Sequence, residues 1–291
     1  MKFIVVTGGA GFIGTNLIKS LLKLGYKNII SIDNYSTGLK KNHIKNQDVK
    51  YINADTNDFF IKFNKIRNQI RVVFHFAEFS RIAQSFENHE KCFNSNIKGS
   101  YEVINFCLKN KIKIIYSATS ASLGNNGMDQ NLSPYAFSKA NNMSLIMNLH
   151  EWFNLQYEII YFYNVYGPKQ IYNSNMAAVV GIFEHCYKNN KPMPVVKPGT
   201  QTRKFTHVDD TVNTCILAWK KNLNKHYSIS SKTSISIIKL AKLFSNNIKF
   251  IPERLGERFK SSNVKRIRNV NIINIKGSKT IKKYIEGIKK K

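Results

Sequence analysis

The chain predicts an α/β fold, a doubly wound parallel sheet with a smaller C-terminal α/β lobe. Three observations carry that expectation. A β-branched run, KFIVVT, ends in the glycine-rich turn GGAGFIG and gives way to helical spacing. Short apolar runs then alternate with helical stretches through the first half of the chain, the pattern of a parallel sheet. The 291 residues, 43% of them hydrophobic, suffice for one large domain and a second lobe. The boundary is expected near residue 165, with 1–165 forming the sheet domain and 166–291 mainly the lobe; the chain is free to cross between them.

Each element follows from local pattern. After the first strand, Ile13, Leu17, Leu21, Leu22 and Leu24 recur at helical spacing, and Gly25 suits the helix end. NIISID reads as a second strand finishing on Asp33, and VKYINAD (49–55) as a third with Asp55 at its end. RVVFHFA (71–77) reads as a fourth, followed by a helix carrying Asn96 and Gly99. KIIYSAT (113–119) reads as a fifth, ending in the hydroxyls of Ser117, Thr119 and Ser120.

Strand, glycine turn, helix, strand is the dinucleotide-binding unit. Gly8 permits the tight turn, Gly11 lets the backbone approach a pyrophosphate, and Gly14 lets helix and strand pack closely. Free N–H groups at the helix start, around Phe12 and Ile13, suit phosphate. Asp33 can accept from a ribose 2′-OH and would repel a 2′-phosphate, which predicts NAD over NADP. Ligands sit beyond the carboxyl ends of parallel strands, where Asp33-Asn34, Asp55-Thr56, Phe76-Ala77 and Thr119 all fall. Those residues, with Asn96, form the expected cofactor crevice.

Composition sets wider bounds. The net charge is +28, with lysines spread from end to end among many Asn and Ile. That joint excess is what an AT-rich genome produces, so nucleic acid is not the expected partner, although a basic nucleic-acid-binding protein on this scaffold is the distant alternative. Cys92, Cys107, Cys186 and Cys215 are scattered without metal-ligand spacing and read as thiols in a reducing compartment. No apolar run reaches the length of a membrane span. A cytoplasmic protein with no metal and no membrane partner is expected.

The reacting group is read from SPYAFSKA (133–140). Ser133 suits an N-cap and Pro134 the first helical position, so Tyr135 and Lys139 lie one turn apart facing the crevice. A free tyrosine, with a pKa near 10, is a poor base at neutral pH. An ammonium one turn away and the charge of bound NAD⁺ would favour phenolate. Thr119 could hydrogen-bond the same substrate hydroxyl.

TGGAGFIG, a strand-ending Asp, HFA, the hydroxyl cluster and YxxxK, in this order, resemble the extended short-chain dehydrogenase/reductases, whose fold is Rossmann-type. More narrowly the chain is similar to the NAD-dependent nucleotide-sugar epimerase/dehydratase branch, of the UDP-glucose 4-epimerase kind. YFYNVYGPKQ (161–170), GTQTRKFTHVDD (199–210) and PERLGERF (252–259) extend the resemblance over nearly the whole chain. It implies a nucleotide-sugar substrate, most readily a UDP-sugar, held by Thr119, Asn164, Asn175, Arg203 and Arg254. It also implies catalysis by Tyr135, Lys139 and Thr119, and a homodimer built through the helices carrying YxxxK and Asn96. Arg258 could take the part of Arg254, and the aspartates of HVDD are expected to be structural.

Departures narrow the reaction. In 4,6-dehydratases resembling this chain an Asp-Glu pair follows the threonine; here Ser120 and Ala121 stand there, which favours 4-epimerisation through a transient 4-keto sugar. Glu78 and Asp129 are the carboxylates that could substitute, so dehydration is the alternative. The segment from Gly124 to Tyr135 is short, Tyr161 stands where arginine is common, and HYSISS (226–231), read as a strand of the substrate lobe, lacks the usual glycines.

Overall fold

The computed structural model describes residues 2–120, 131–172, 174–256 and 270–290; Ala121, Gly124, Asp129 and Arg258 lie outside them. Eight strands form one sheet: β1 (Phe3–Thr7), β2 (Ile29–Asp33), β3 (Val49–Asn53), β4 (Ile70–His75), β5 (Lys113–Thr119), β6 (Tyr157–Phe162), β7 (His226–Ser230) and β8 (Ile272–Lys276). Their order is β8-β7-β6-β5-β4-β1-β2-β3, and every pairing is parallel. The central strands are apolar runs because helices cover both faces of the sheet. One face packs Val5, Val73, Ile114 and Ile159 against Val103, Phe106 and Ile146. The other packs Ile4, Val6, Phe74 and Ile160 against Leu17, Leu21, Val212 and Trp219.

Five helices matter for the site: α1 (Phe12–Lys23), α2 (Ile82–Glu87), α3 (Ser100–Lys109), α4 (Pro134–Phe153) and α5 (Val208–Lys221). Helix α1 runs on to Lys23, and Gly25 just beyond it takes a left-handed φ of 79°. Helix α4 starts as its sequence predicts: the Ser133 hydroxyl accepts from Ala136 N at 3.0 Å and Pro134 occupies the first turn. The chain runs outward through β1, β2 and β3, then returns to place β4 on the other side of β1. That reversal opens a crevice above the β1 and β4 carboxyl ends.

Two readings need correction. HYSISS is not a lobe strand; as β7 it joins the large sheet between β6 and β8. Cross-strand side chains hold it there, with Tyr161 Oη to His226 Nδ1 at 2.7 Å and Tyr163 Oη to Ser228 Oγ at 2.8 Å. Strands β3 and β4 also stop two residues short of the sequence reading, which leaves Asp55, Phe76 and Ala77 in the loops beyond them.

A separate apolar core gathers Tyr166, Phe183, Met193, Val195, Phe205, Leu240, Phe244 and Ile285. Its strands are short: Met193–Val196 pairs with Ile248–Ile251, and Thr202–Arg203 with Ile235–Ser236. Asp210 ties α5 to the return segment, accepting from the Ser278 and Lys279 N–H groups and from the Ser278 hydroxyl, while Asp209 pairs with Lys279. The aspartates of HVDD are thus spent on structure.

Candidate active site

One cavity of about 840 Å³ lies over the crevice, lined by both the sheet loops and the second core's edge. It collects Gly8, Gly11, Phe12, Ile13, Gly14, Asp33, Asn34, Asp55, Thr56, Phe76 and Ala77 at one end. Thr119, Tyr135, Lys139, Asn164, Asn175, Arg203 and Arg254 line the rest. A volume near the upper end of ligand pockets suits two elongated ligands meeting end to end.

The glycine loop has the geometry a dinucleotide needs. Gly8 has φ 69°, and a Cβ there would meet the Phe76-Ala77 backbone at 3.0 Å. A Cβ on Gly14 would stand 2.2 Å from the Gly8 carbonyl, so α1 can approach β1 only with glycine there. A Cβ on Gly11 would meet nothing nearer than that carbonyl at 3.2 Å, so its Cα face is clear, while its N–H donates to the same Gly8 carbonyl at 3.1 Å. Asp33 accepts from Ala10 N at 3.0 Å and Tyr35 N at 2.8 Å, one bond to each oxygen, and keeps lone pairs for a ribose. Burial pushes its carboxyl above the usual range, and those N–H donors oppose the shift. Asn34 donates to Asp55 at 2.8 Å, closing the far wall. These residues fit an NAD nucleotide.

Asn96 behaves differently from its reading as a cofactor residue. It is fully buried away from the cavity lining, within the π-turn Asn94–Gly99. Its carboxamide oxygen accepts from Phe79 N at 2.6 Å, and its nitrogen donates to Phe79 O and Ser138 Oγ, each at 3.0 Å. Asn96 therefore clamps the loop after β4 to α4 and leaves no group for a ligand.

At the reacting end Tyr135 is 8% exposed, and its phenol hydrogen-bonds Thr119. Burial pushes the phenol up to about 12; the Thr119 bond and the Arg81 charge oppose that, whereas Glu78 adds to it. Lys139 is not the free ammonium that its spacing implies. It pairs with Glu78 and donates to the Ser117 carbonyl, in a site where both charged side chains are at most 5% exposed. Burial draws the lysine below its usual range, and Glu78 works against that shift.

Glu78 is the site residue that sequence reasoning weighed only as a stand-in acid. Its Oε1 accepts from Tyr116 at 2.9 Å, Ser100 at 3.0 Å and Asn142 at 3.1 Å, and its Oε2 from Lys139. Four donors describe a carboxylate with no proton to deliver. The chain behind it is directed. Thr7 Oγ1 accepts from Phe76 N and Ala77 N, both at 3.0 Å, so its own proton goes to His75 Nδ1 at 2.8 Å. His75 is pushed down to about 4 by burial and is neutral, so its Nε2–H faces Ser100 Oγ at 2.9 Å, and Ser100 donates onward to Glu78. The signal in the sequence was an acid placed directly after the strand-ending HFA.

Among the substrate-side residues, Asn164 sits at φ 36° and donates to Lys204 O at 2.9 Å, while Arg203 Nη1 donates to Thr202 O at 2.9 Å. Arg254 is exposed at the cavity rim. Arg81, which the sequence reading passed over, also lines the cavity. Among the described residues no group of His, Cys, Asp and Glu could hold a metal ion, and no helix is long and apolar enough to cross a membrane. All four cysteines are free and buried.

A crevice at a strand-order reversal, with a buried tyrosine and lysine one helical turn apart in its wall, is the arrangement of an enzyme of the Rossmann class. The chain belongs to the NAD dependent epimerase/dehydratase family, whose model matches residues 4–230. It is 30% identical over 227 residues to ADP-L-glycero-D-manno-heptose-6-epimerase of Brachyspira hyodysenteriae, covering 72% of this chain and 70% of that one. Among solved structures it is similar to UDP-N-acetylglucosamine 4-epimerase of Methanobrevibacter ruminantium, in complex with UDP-N-acetylmuramic acid. That match has 29% identity and a TM-score of 0.81, and covers 89% and 88% of the two chains. UDP-glucose 4-epimerase of Thermotoga maritima, with UDP-glucose, matches at 27% identity and TM-score 0.82, with the same coverage of the two chains.

Proposed function

We propose that the protein is an NAD-dependent nucleotide-sugar 4-epimerase, with a UDP-sugar as substrate, acting in a reducing cytoplasm. The observation that carries this reading is the Tyr135 phenol hydrogen-bonded to Thr119 in a cavity whose one buried carboxylate at that end among the described residues, Glu78, is fully committed. Tyr135 takes the proton of the sugar C4 hydroxyl and later returns it to the 4-keto oxygen. Thr119 steadies that oxygen in both states. Lys139, held by Glu78 and by the carbonyl and hydroxyl of Ser117, lines the same cavity and would hold the nicotinamide ribose. The glycine loop and Asp33 would hold NAD, which when bound would supply the acceptor and donor of the C4 hydride. Asn164, Asn175, Arg203 and Arg254 hold the nucleoside diphosphate, with guanidinium groups suited to phosphate oxygens.

Glu78 counts against 4,6-dehydration, because elimination needs an acid that can release a proton. The test is a panel of UDP-, GDP- and dTDP-sugars with product NMR and mass spectrometry. A C4-inverted product of unchanged mass is expected. Loss of one water would instead establish the dehydratase, and no turnover of any sugar nucleotide would end the reading.

A further inference from the structure

Helix α2 meets the substrate side of the cavity at three points. Arg81, directly before the helix, donates from Nε to Met176 O at 2.7 Å, and Gln84 Nε2 donates to Asn175 O at 2.7 Å. Both acceptors are main-chain carbonyls, so these bonds set the path of the turn 174–177 without using the Asn175 side chain. The third point is Gly256, two residues after Arg254. A Cβ there would stand 2.6 Å from Ile82 Cγ2 and 3.2 Å from Phe86 Cε2, so the turn 254–256 lies flush on α2 only with glycine at the contact. Asn175 and Arg254, one on each turn, line a cleft together with Gln84 beside the main cavity.

The same helix seats the tyrosine. Ser85 Oγ accepts from Tyr135 N at 3.3 Å and donates to Ile82 O at 2.6 Å. Ile82 and Phe79 pack against the cluster of Tyr135 and Cys92. One short helix thus holds, by direct contact, the residue proposed as base and both turns that carry the expected diphosphate ligands.

We propose that Arg81, Gln84 and Gly256 are positioning residues that act through Asn175 and Arg254: they dock the two turns on α2 and so fix the reach from the diphosphate site to Tyr135. What the turns hold rests on the nucleotide-sugar reading above, while the docking itself is read without a ligand. A binding group already in place when the ligand arrives spares the ordering cost that binding otherwise carries. Loosening the turns therefore weakens binding more than it slows the chemistry.

The experiment uses the NAD-loaded protein and three readouts: hydrogen exchange of the peptide spanning 174–182, calorimetric binding of UDP, and kcat and KM for the sugar nucleotide that turns over. Arg81→Met and Gln84→Met each put a methyl group where the donor nitrogen stood. Arg81→Gln loses the charge but keeps a donor, because its amide nitrogen occupies the branch position of Nε. Both methionine variants should speed exchange of the peptide, weaken UDP roughly 3- to 10-fold and raise KM alike, with kcat falling less than KM rises. Arg81→Gln should stay within about twofold of wild type in all three, and Gly256→Ala should weaken UDP as much as the methionine variants do. Unchanged exchange and UDP affinity in both methionine variants overturn the proposal. So does an Arg81→Gln variant as weak as Arg81→Met, which would make the guanidinium a direct contact of the phosphates. If the wild type binds no UDP and turns over no sugar nucleotide, the epimerase reading fails, while the exchange still decides the docking.

Discussion

At the scale of single residues, the chemistry concentrates on a phenol made reluctant by burial. With Tyr135 pushed up to about 12, the deprotonated base is scarce at neutral pH until positive charge arrives. Activity should therefore rise with pH along its acid limb. Tyr135→Phe should lower kcat by roughly 10²- to 10⁴-fold, the usual worth of a positioned general base. The same variant should retain NAD, since the phenol is not part of the glycine loop; steady-state kinetics and the cofactor content of the purified protein check both. His75 and His226 are each pushed down to about 4, chiefly by burial. An unfolded chain takes up those protons below about pH 6.5 whereas the folded one does not until pH 4. Stability should thus be full above pH 6.5 and fall on acidification toward pH 4, by up to about 3 kcal/mol for each histidine, as read from denaturant midpoints.

Among elements, the loop after β4 is the part whose role changed most. It carries Glu78 and Arg81, and its shape depends on the Asn96 carboxamide gripping both backbone groups of Phe79. Asn96→Ala strands those two groups and the Ser138 hydroxyl contact, which should cost about 1–3 kcal/mol in chemical denaturation and lower kcat more than NAD affinity. The glycine loop, α1 and the start of α4 were legible because each follows from short-range rules: a φ that only glycine takes easily, a serine cap, a proline in the first turn. Glu78 and Asn96 were not, because their partners lie between 17 and 64 positions away in the chain. No periodicity records such a pairing.

For the whole molecule, the unsettled surface is that of α3 and α4. Tyr101 and Phe137 are 47% and 44% exposed, and Trp152 and Phe153 at the end of α4 are more than 60% exposed. Apolar side chains grouped on neighbouring helices are costly to leave in water. We expect a homodimer through this face. Light scattering should give about twice the 33.5 kDa chain mass, and the pair Tyr101→Glu and Phe137→Glu should return it to one chain without loss of NAD.

What the sequence by itself determined is the nucleotide end of the protein: the sheet alternation, the glycine turn, Asp33 and the tyrosine on its helix start. Local sterics and hydrogen bonding dictate each of these, so neighbours in the chain are enough to read them. Only the tertiary structure decided the electrostatics of the reacting end. It brought β7 into the large sheet, matched Lys139 with Glu78 and turned Asn96 into a clamp. A buried charge acts according to what folding sets beside it, and that proximity exists only once the strands have met.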